Sequence, residues 1–167
     1  MEEEILPVVD KDGNMIGKAS RTECHNGSFK LHPVVHLHLY SRDGRLLLQL
    51  RQFSKEIQPG KWDTSVGGHV NYGETIEEAL RRETREELDV NLDEVDLEFV
   101  DKYVYRSDIE EELVYVYKGI YNGCHFVYPN TEIENIEYYN KDDINFLSIT
   151  HRLTPNFESE LKRYNLI

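Results

Sequence analysis

The chain has 167 residues, enough for one domain with a proper core, and no run approaches the roughly 18 apolar residues of a membrane span. A formal net charge of −13 weighs against nucleic-acid binding and makes cations necessary for any anionic substrate. The opening MEEEILPVVD lacks the basic and apolar regions of a signal peptide, and Cys24 and Cys124 are too few for a disulfide framework, so a reduced cytoplasmic setting is expected.

In chain order, period-two alternation predicts a first strand over Leu6–Asp10, with Lys11-Asp12-Gly13-Asn14 as a turn. A long strand follows over Val34–Tyr40. On it His36 and His38 share a face, which suits structural or pocket-lining residues better than ligands. Ser41-Arg42-Asp43-Gly44 reads as the turn into a strand over Arg45–Gln49. The segment Glu74–Leu88 is rich in helix formers and lacks Gly and Pro, so it reads as a helix. Strands over Glu98–Tyr105 and Leu113–Tyr121 come next, then a short helix over Lys141–Leu147. A final helix spans about Asn156–Arg163, with Thr154 as cap and Pro155 in its first turn. The pattern by itself supports α/β or α+β, with a single domain over residues 1–167.

The helix over Glu74–Leu88 carries an anomaly. On a wheel of about 100° per residue, Ile76, Ala79, Leu80 and Thr84 form one stripe. Glu83 and Glu87 fall inside that stripe and Glu86 lies at its edge, whereas Glu77, Glu78, Arg81 and Arg85 face away. A carboxylate on a core-facing stripe is costly unless it is paired or binds a metal. Acids at i, i+3 and i+4 converge, and a divalent cation relieves their repulsion. A solvated acidic face would leave both the acids on the stripe and the glycines before the helix unexplained.

The segment GHVNYGETIEEALRRETREELDV, from Gly68 to Val90, resembles the Nudix box, the signature of the Nudix hydrolase family. Gly68, Glu74, Arg82, Glu83, Glu86, Glu87 and Val90 match its pattern. Thr84 stands at an aliphatic position, where its methyl still packs, and Asp89 at the final glycine. Asp tolerates the left-handed conformation common after a helix end, so a small stability cost and no chemical one is expected. The resemblance implies an α/β/α sandwich with a mixed β-sheet. It also implies Mg²⁺ or Mn²⁺ held by Glu83, Glu86, Glu87 and the Gly68 carbonyl, with a glutamate deprotonating the attacking water. Arg82 would orient a box glutamate by a bidentate contact, and Glu74 would support Arg82 or act as an outer ligand.

Over about residues 5–120 the chain also resembles the type 1 isopentenyl-diphosphate isomerase branch of that superfamily, in IGKASRTECHNGSFKLHPVVHLHLY and LLLQLRQFSKEIQPGKWDTSVGGHV. The resemblance implies a second metal held by His25, His32, His69, Glu110 and Glu112, with mixed ligands that favour Mn, Zn or Fe over Mg. Glu110 and Glu112, two apart on an extended segment, are expected to point the same way. Arg21, Arg51 and Lys55 match basic positions that grip diphosphate there. Trp62 and Tyr72 flank the site in sequence; either could wall off a pocket, and Trp62 fits the core equally well. Those isomerases carry a cysteine where this chain has Gly67, and a basic residue where it has Glu83.

The expectation is therefore a hydrolase on an isomerase-like frame. It would cleave a phosphoanhydride in a nucleoside diphosphate linked to another moiety, or in a related small organic diphosphate. An isomerase using another acid, or a non-catalytic nucleotide-sensing module, are the rivals. No nucleic-acid or membrane partner is expected, and a homodimer is the base-rate expectation.

Overall fold

The computed structural model describes residues 2–167. Strands β1 (Ile5–Val9) and β2 (Met15–Ser20) form an antiparallel hairpin that is a sheet of its own. The expected turn joins them: Asp10 Oδ1 accepts from the Asp12 and Asn14 amides, and Gly13 takes φ 92°. Strand β2 carries no alternation because its first four residues are all exposed, and periodicity therefore passes over it. A single helical turn, α1 (Arg21–Cys24), follows and is closed by a capping box between Ser20 and Glu23.

Seven strands make the main sheet: β3 (His32–Tyr40), β4 (Leu46–Arg51), β5 (Trp62–Asp63), β6 (Val66–His69), β7 (Asp96–Arg106), β8 (Glu111–Ile120) and β9 (Ile133–Tyr139). The path runs β5-β4-β3-β8-β7, with β6 added to β3 and β9 to β4. The β3–β8 pair is parallel and the other pairs are antiparallel, so the sheet is mixed. As a central strand beside a parallel neighbour, β3 is buried on both faces, which explains its nearly continuous apolar run.

Helices cover both faces. On one, Val35, Leu37, Leu39, Leu47 and Val66 meet Ala79, Leu80 and Leu88 of α2 (Ile76–Leu88). On the other, Leu46, Leu48 and Trp62 meet Ile144 and Leu147 of α3 (Lys141–Ile149) and Phe157 and Leu161 of α4 (Pro155–Arg163). This is the α+β sandwich expected. Leu80 is fully buried, and truncating it to Ala would cost about 2–5 kcal/mol. Thr84 is also buried, and its hydroxyl donates to the Leu80 carbonyl at 2.7 Å. Helix α2 starts at a Thr75 cap that accepts from the Glu78 amide, and it ends on Asp89 at φ 55°, the left-handed residue anticipated there. Thr154 precedes α4 as expected, but its hydroxyl makes no capping bond. No helix among the described residues is long and apolar enough to cross a membrane.

The sequence reading missed β9 because a register shift opposite Leu50 and Arg51 puts Ile133 and Ile136 three apart rather than two. Two-residue β5 and the glycine-containing β6 are too short to show a period.

Candidate active site with two acidic and histidine clusters

The turn from β6 into α2 assembles the box. Gly68 pairs with Val35 on β3, and a Cβ on residue 68 would overlap the Glu83 carboxyl group. Glycine is needed there for the close approach of carboxylate to backbone. Glu87 accepts from Gln49 Nε2 at 3.0 Å and from the Gly67 amide at 3.2 Å. Burial pushes Glu83 up to about 7 and Glu87 up to about 8. Two half-buried acids that resist ionising beside one another are the environment a divalent cation would relieve. Glu86 lies at the mouth, with 58% of its side chain exposed.

Arg82 ties the box together. Its Nε and Nη2 donate to the two Glu74 oxygens at 2.8 and 2.9 Å, so its bidentate partner is Glu74. Its Nη1 donates to Glu83 at 2.8 Å and to Glu86 at 3.3 Å, and Nη2 also reaches the His69 carbonyl at 3.0 Å. Glu74 thereby supports Arg82, and the Asn71 amide holds Glu74 at 2.8 Å.

A second cluster adjoins the first through His69, the last residue of β6. His25 comes from the end of α1, His32 from the start of β3, and Glu110 from the residue before β8. Ligand atoms of His25, His32, His69 and Glu110 all lie within 4.8 Å of one another. His32 Nδ1 sits 2.9 Å from the Lys30 carbonyl, which fixes a proton on Nδ1 and turns Nε2 inward. That Nε2 and Glu110 Oε2 are buried without hydrogen-bond partners, and the 2.7 Å approach of His25 Nε2 to Glu110 lacks hydrogen-bond geometry. Burial pushes His69 down to about 3, with Arg21, His25 and His32 adding to the effect. His25 and His32 hold Glu110 well below the usual carboxylate range against the opposing effect of burial. Three imidazoles and a carboxylate, with two of their buried atoms unpartnered, fit a metal ion.

Glu112 does not join that group of four. The expected alternation with Glu110 does not apply, because β8 starts at Glu111 and Glu110 still belongs to the turn closed by Ser107. Glu112 lies beside His32 in the strand register, and burial together with Glu110 pushes it up to about 7.

The three basic candidates are engaged by their own chain. Arg21 pairs with Glu4 at 3.3 Å. Arg51 donates to the Ile57 carbonyl at 2.9 and 3.2 Å and approaches Asp63 at 3.6 Å, bracing the loop between β4 and β5. Lys55 pairs with Glu132. Trp62 is buried in the core against Tyr139, whereas Tyr72 is exposed beneath Lys18. The sequence reading also missed Glu160, which is buried and bonded to His36 and His38. Its signal was the one used for Glu83, an acid on the apolar stripe, here beside Phe157 and Leu161.

The family model described as NUDIX domain matches residues 30–158. The isopentenyl-diphosphate Delta-isomerase of Serratia proteamaculans is 34% identical over 72% of this chain and 68% of its own length. An uncharacterized Nudix hydrolase of Nostoc sp. is 33% identical over 84% of this chain and 88% of its own. The crystal structure of DR0079 from Deinococcus radiodurans superposes with a TM-score of 0.82 at 25% identity, covering 96% of this chain and 98% of that one.

Proposed function

The chain belongs to the Nudix family, near its isopentenyl-diphosphate isomerase branch, and we propose that it hydrolyses a phosphoanhydride bond in a nucleoside diphosphate linked to another moiety, or in a related small organic diphosphate. The observation that carries this reading is the contact of Glu83 with the Gly68 backbone beside half-buried Glu87, a pair of acids with no neutralising cation other than Arg82 among the described residues. Glu83, Glu86, Glu87 and the Gly68 carbonyl would hold Mg²⁺ or Mn²⁺. The bound ion would supply charge neutralisation on the diphosphate and a lowered pKa for water. Arg82 fixes Glu83 in place through its own anchorage on Glu74. A box glutamate takes the proton from the attacking water, a role worth roughly 10²–10⁴-fold in rate.

His25, His32, His69 and Glu110 would hold a second ion, for which their mixed donors favour Mn, Zn or Fe. The same four residues favour a second reading, an isomerase of isoprenoid diphosphates. Against it, position 67 carries glycine where that branch carries a cysteine. Conversion of isopentenyl to dimethylallyl diphosphate would establish the isomerase.

The test is a phosphate-release screen with Mg²⁺ and then Mn²⁺. Nucleoside triphosphates, dinucleoside polyphosphates, nucleotide sugars, coenzyme A, NADH, ADP-ribose and isopentenyl diphosphate would be offered. Turnover of one class, lost in Glu83→Gln, is expected. Nucleotide binding without turnover in either metal would identify a sensing module instead. Turnover unchanged in both Glu83→Gln and Glu87→Gln would remove the box from catalysis.

A further inference from the structure

On the α4 side of β3, three donors converge on one buried carboxylate. Glu160 is 1% exposed, and its oxygens take His36 Nδ1 at 2.8 Å, His38 Nε2, and the Tyr103 hydroxyl. An ionised carboxylate only accepts, so the His36 Nδ1 carries a proton and the ring is locked by that bond. The opposite ring edge is free. His36 Nε2 has no protein partner among the described residues, and the side chain keeps 12% exposure.

That free edge faces Gly67. The two residues are cross-strand partners, and a Cβ on residue 67 would lie 3.4 Å from His36 Cδ2 and 3.8 Å from Nε2. The amide of the same glycine donates to Glu87 at 3.2 Å. A single residue thus separates the unpartnered nitrogen from a box glutamate.

We propose that His36, oriented by Glu160, is a further substrate-contacting residue whose Nε2–H donates to a phosphate oxygen of the diphosphate in the space that Gly67 leaves open. This rests on the hydrolase reading above and names a cationic contact for its substrate. The other basic candidates are already engaged, Arg21 by Glu4, Arg51 by the Ile57 carbonyl and Lys55 by Glu132. Charged and titratable groups facing His36 are Glu160 from α4, Glu112 from β8 and Asp63 from β5, with His38 on its own strand and Tyr103 of β7 behind Glu160. Burial opposes the charge, yet these carboxylates push the imidazole up to about 9, which leaves a proton on both nitrogens at neutral pH. A fixed cation with an outward N–H forms a charge-assisted bond to phosphate. A Cβ at position 67 would lie against the ring edge that makes this contact, and against Thr64.

The experiment is calorimetric titration of the whole protein, with Mg²⁺, by methylenediphosphonate, a diphosphate that cannot be hydrolysed. Wild-type affinity is expected to fall as pH rises through about 9. At pH 7, His36→Gln is expected to bind roughly 10–100-fold more weakly, as for loss of one charged hydrogen bond, and to lack the alkaline step. His36→Gln leaves Glu160 with fewer donors. The paired variant His36→Gln/Glu160→Gln removes that buried charge and is expected to show the same weakening. Folded variants that bind as tightly as wild type would overturn the proposal. So would an alkaline step of the same size in all three proteins, or no binding to the wild type. Absence of turnover in the substrate screen would instead remove the hydrolase reading and leave this binding result standing.

Discussion

Gly68 and Glu83 occupy one another's space: the carboxyl group of the helix residue rests where a side chain on the strand residue would begin. Gly68→Ala must therefore push Glu83 or the β6 backbone aside. Overpacking of this kind costs typically 1–3 kcal/mol. Metal-dependent turnover should fall by at least about 10²-fold, because both the carboxylate and the Gly68 carbonyl move from their common position. Turnover at the wild-type rate would show that the close approach is dispensable.

The histidine cluster should respond to metal without any substrate. After chelation, adding Zn²⁺ should raise the thermal midpoint, since a ligand at 100 times its Kd stabilises by about 2.7 kcal/mol. His25→Ala and His69→Ala should abolish that rise, as each removes one of the four convergent donors. An undiminished metal response in both variants would assign the binding to other residues.

Stability should carry a signature of the His36–Glu160 pair. The His36 imidazole is raised from 6.5 to about 9 in the folded chain. A raised folded value contributes stability that is fully present below the unfolded value and is lost as pH rises through the folded one. The thermal midpoint of the metal-free protein should fall across that window, and His36→Gln/Glu160→Gln should show a smaller fall. Parallel curves for the two proteins would mean that the pair is not charged as described.

Asp89 holds φ 55° at the end of α2, a conformation that glycine adopts without penalty. Asp89→Gly should gain about 1 kcal/mol from the backbone and lose little with the exposed Arg85 pair, which is worth roughly 0–1 kcal/mol. A raised midpoint with unchanged turnover is the expected result from thermal unfolding and the phosphate assay. A drop in rate would mean that Asp89 does more than end the helix.

The box was legible because its information is local. Spacing along one helix put Glu83 and Glu87 on the face that packs against the sheet, and both are partly enclosed there. Asp89 could be read as a left-handed terminus from its place after the last apolar turn. Strand β2 and strand β9 were not legible, the first because it is exposed on both sides and the second because a bulge interrupts its period. The separation of Glu112 from the group of four has the same root. A two-residue spacing predicts a shared direction only within a strand, and the β8 boundary falls between Glu110 and Glu112.

The order of residues specifies the helix that carries the acids, the long buried strand β3, and the set of residue types from which two cation-binding clusters could be built. Those follow from periodicity and chemistry over a few turns of chain. Which of those residues meet is set by the packing of distant elements. His25, His32, His69 and Glu110 come from four separate elements. Arg21, Arg51 and Lys55 proved to be engaged by groups elsewhere in the chain. Glu160 reached His36 across 124 residues. Such contacts depend on how the sheet is ordered and which face each helix covers, and no local spacing encodes them.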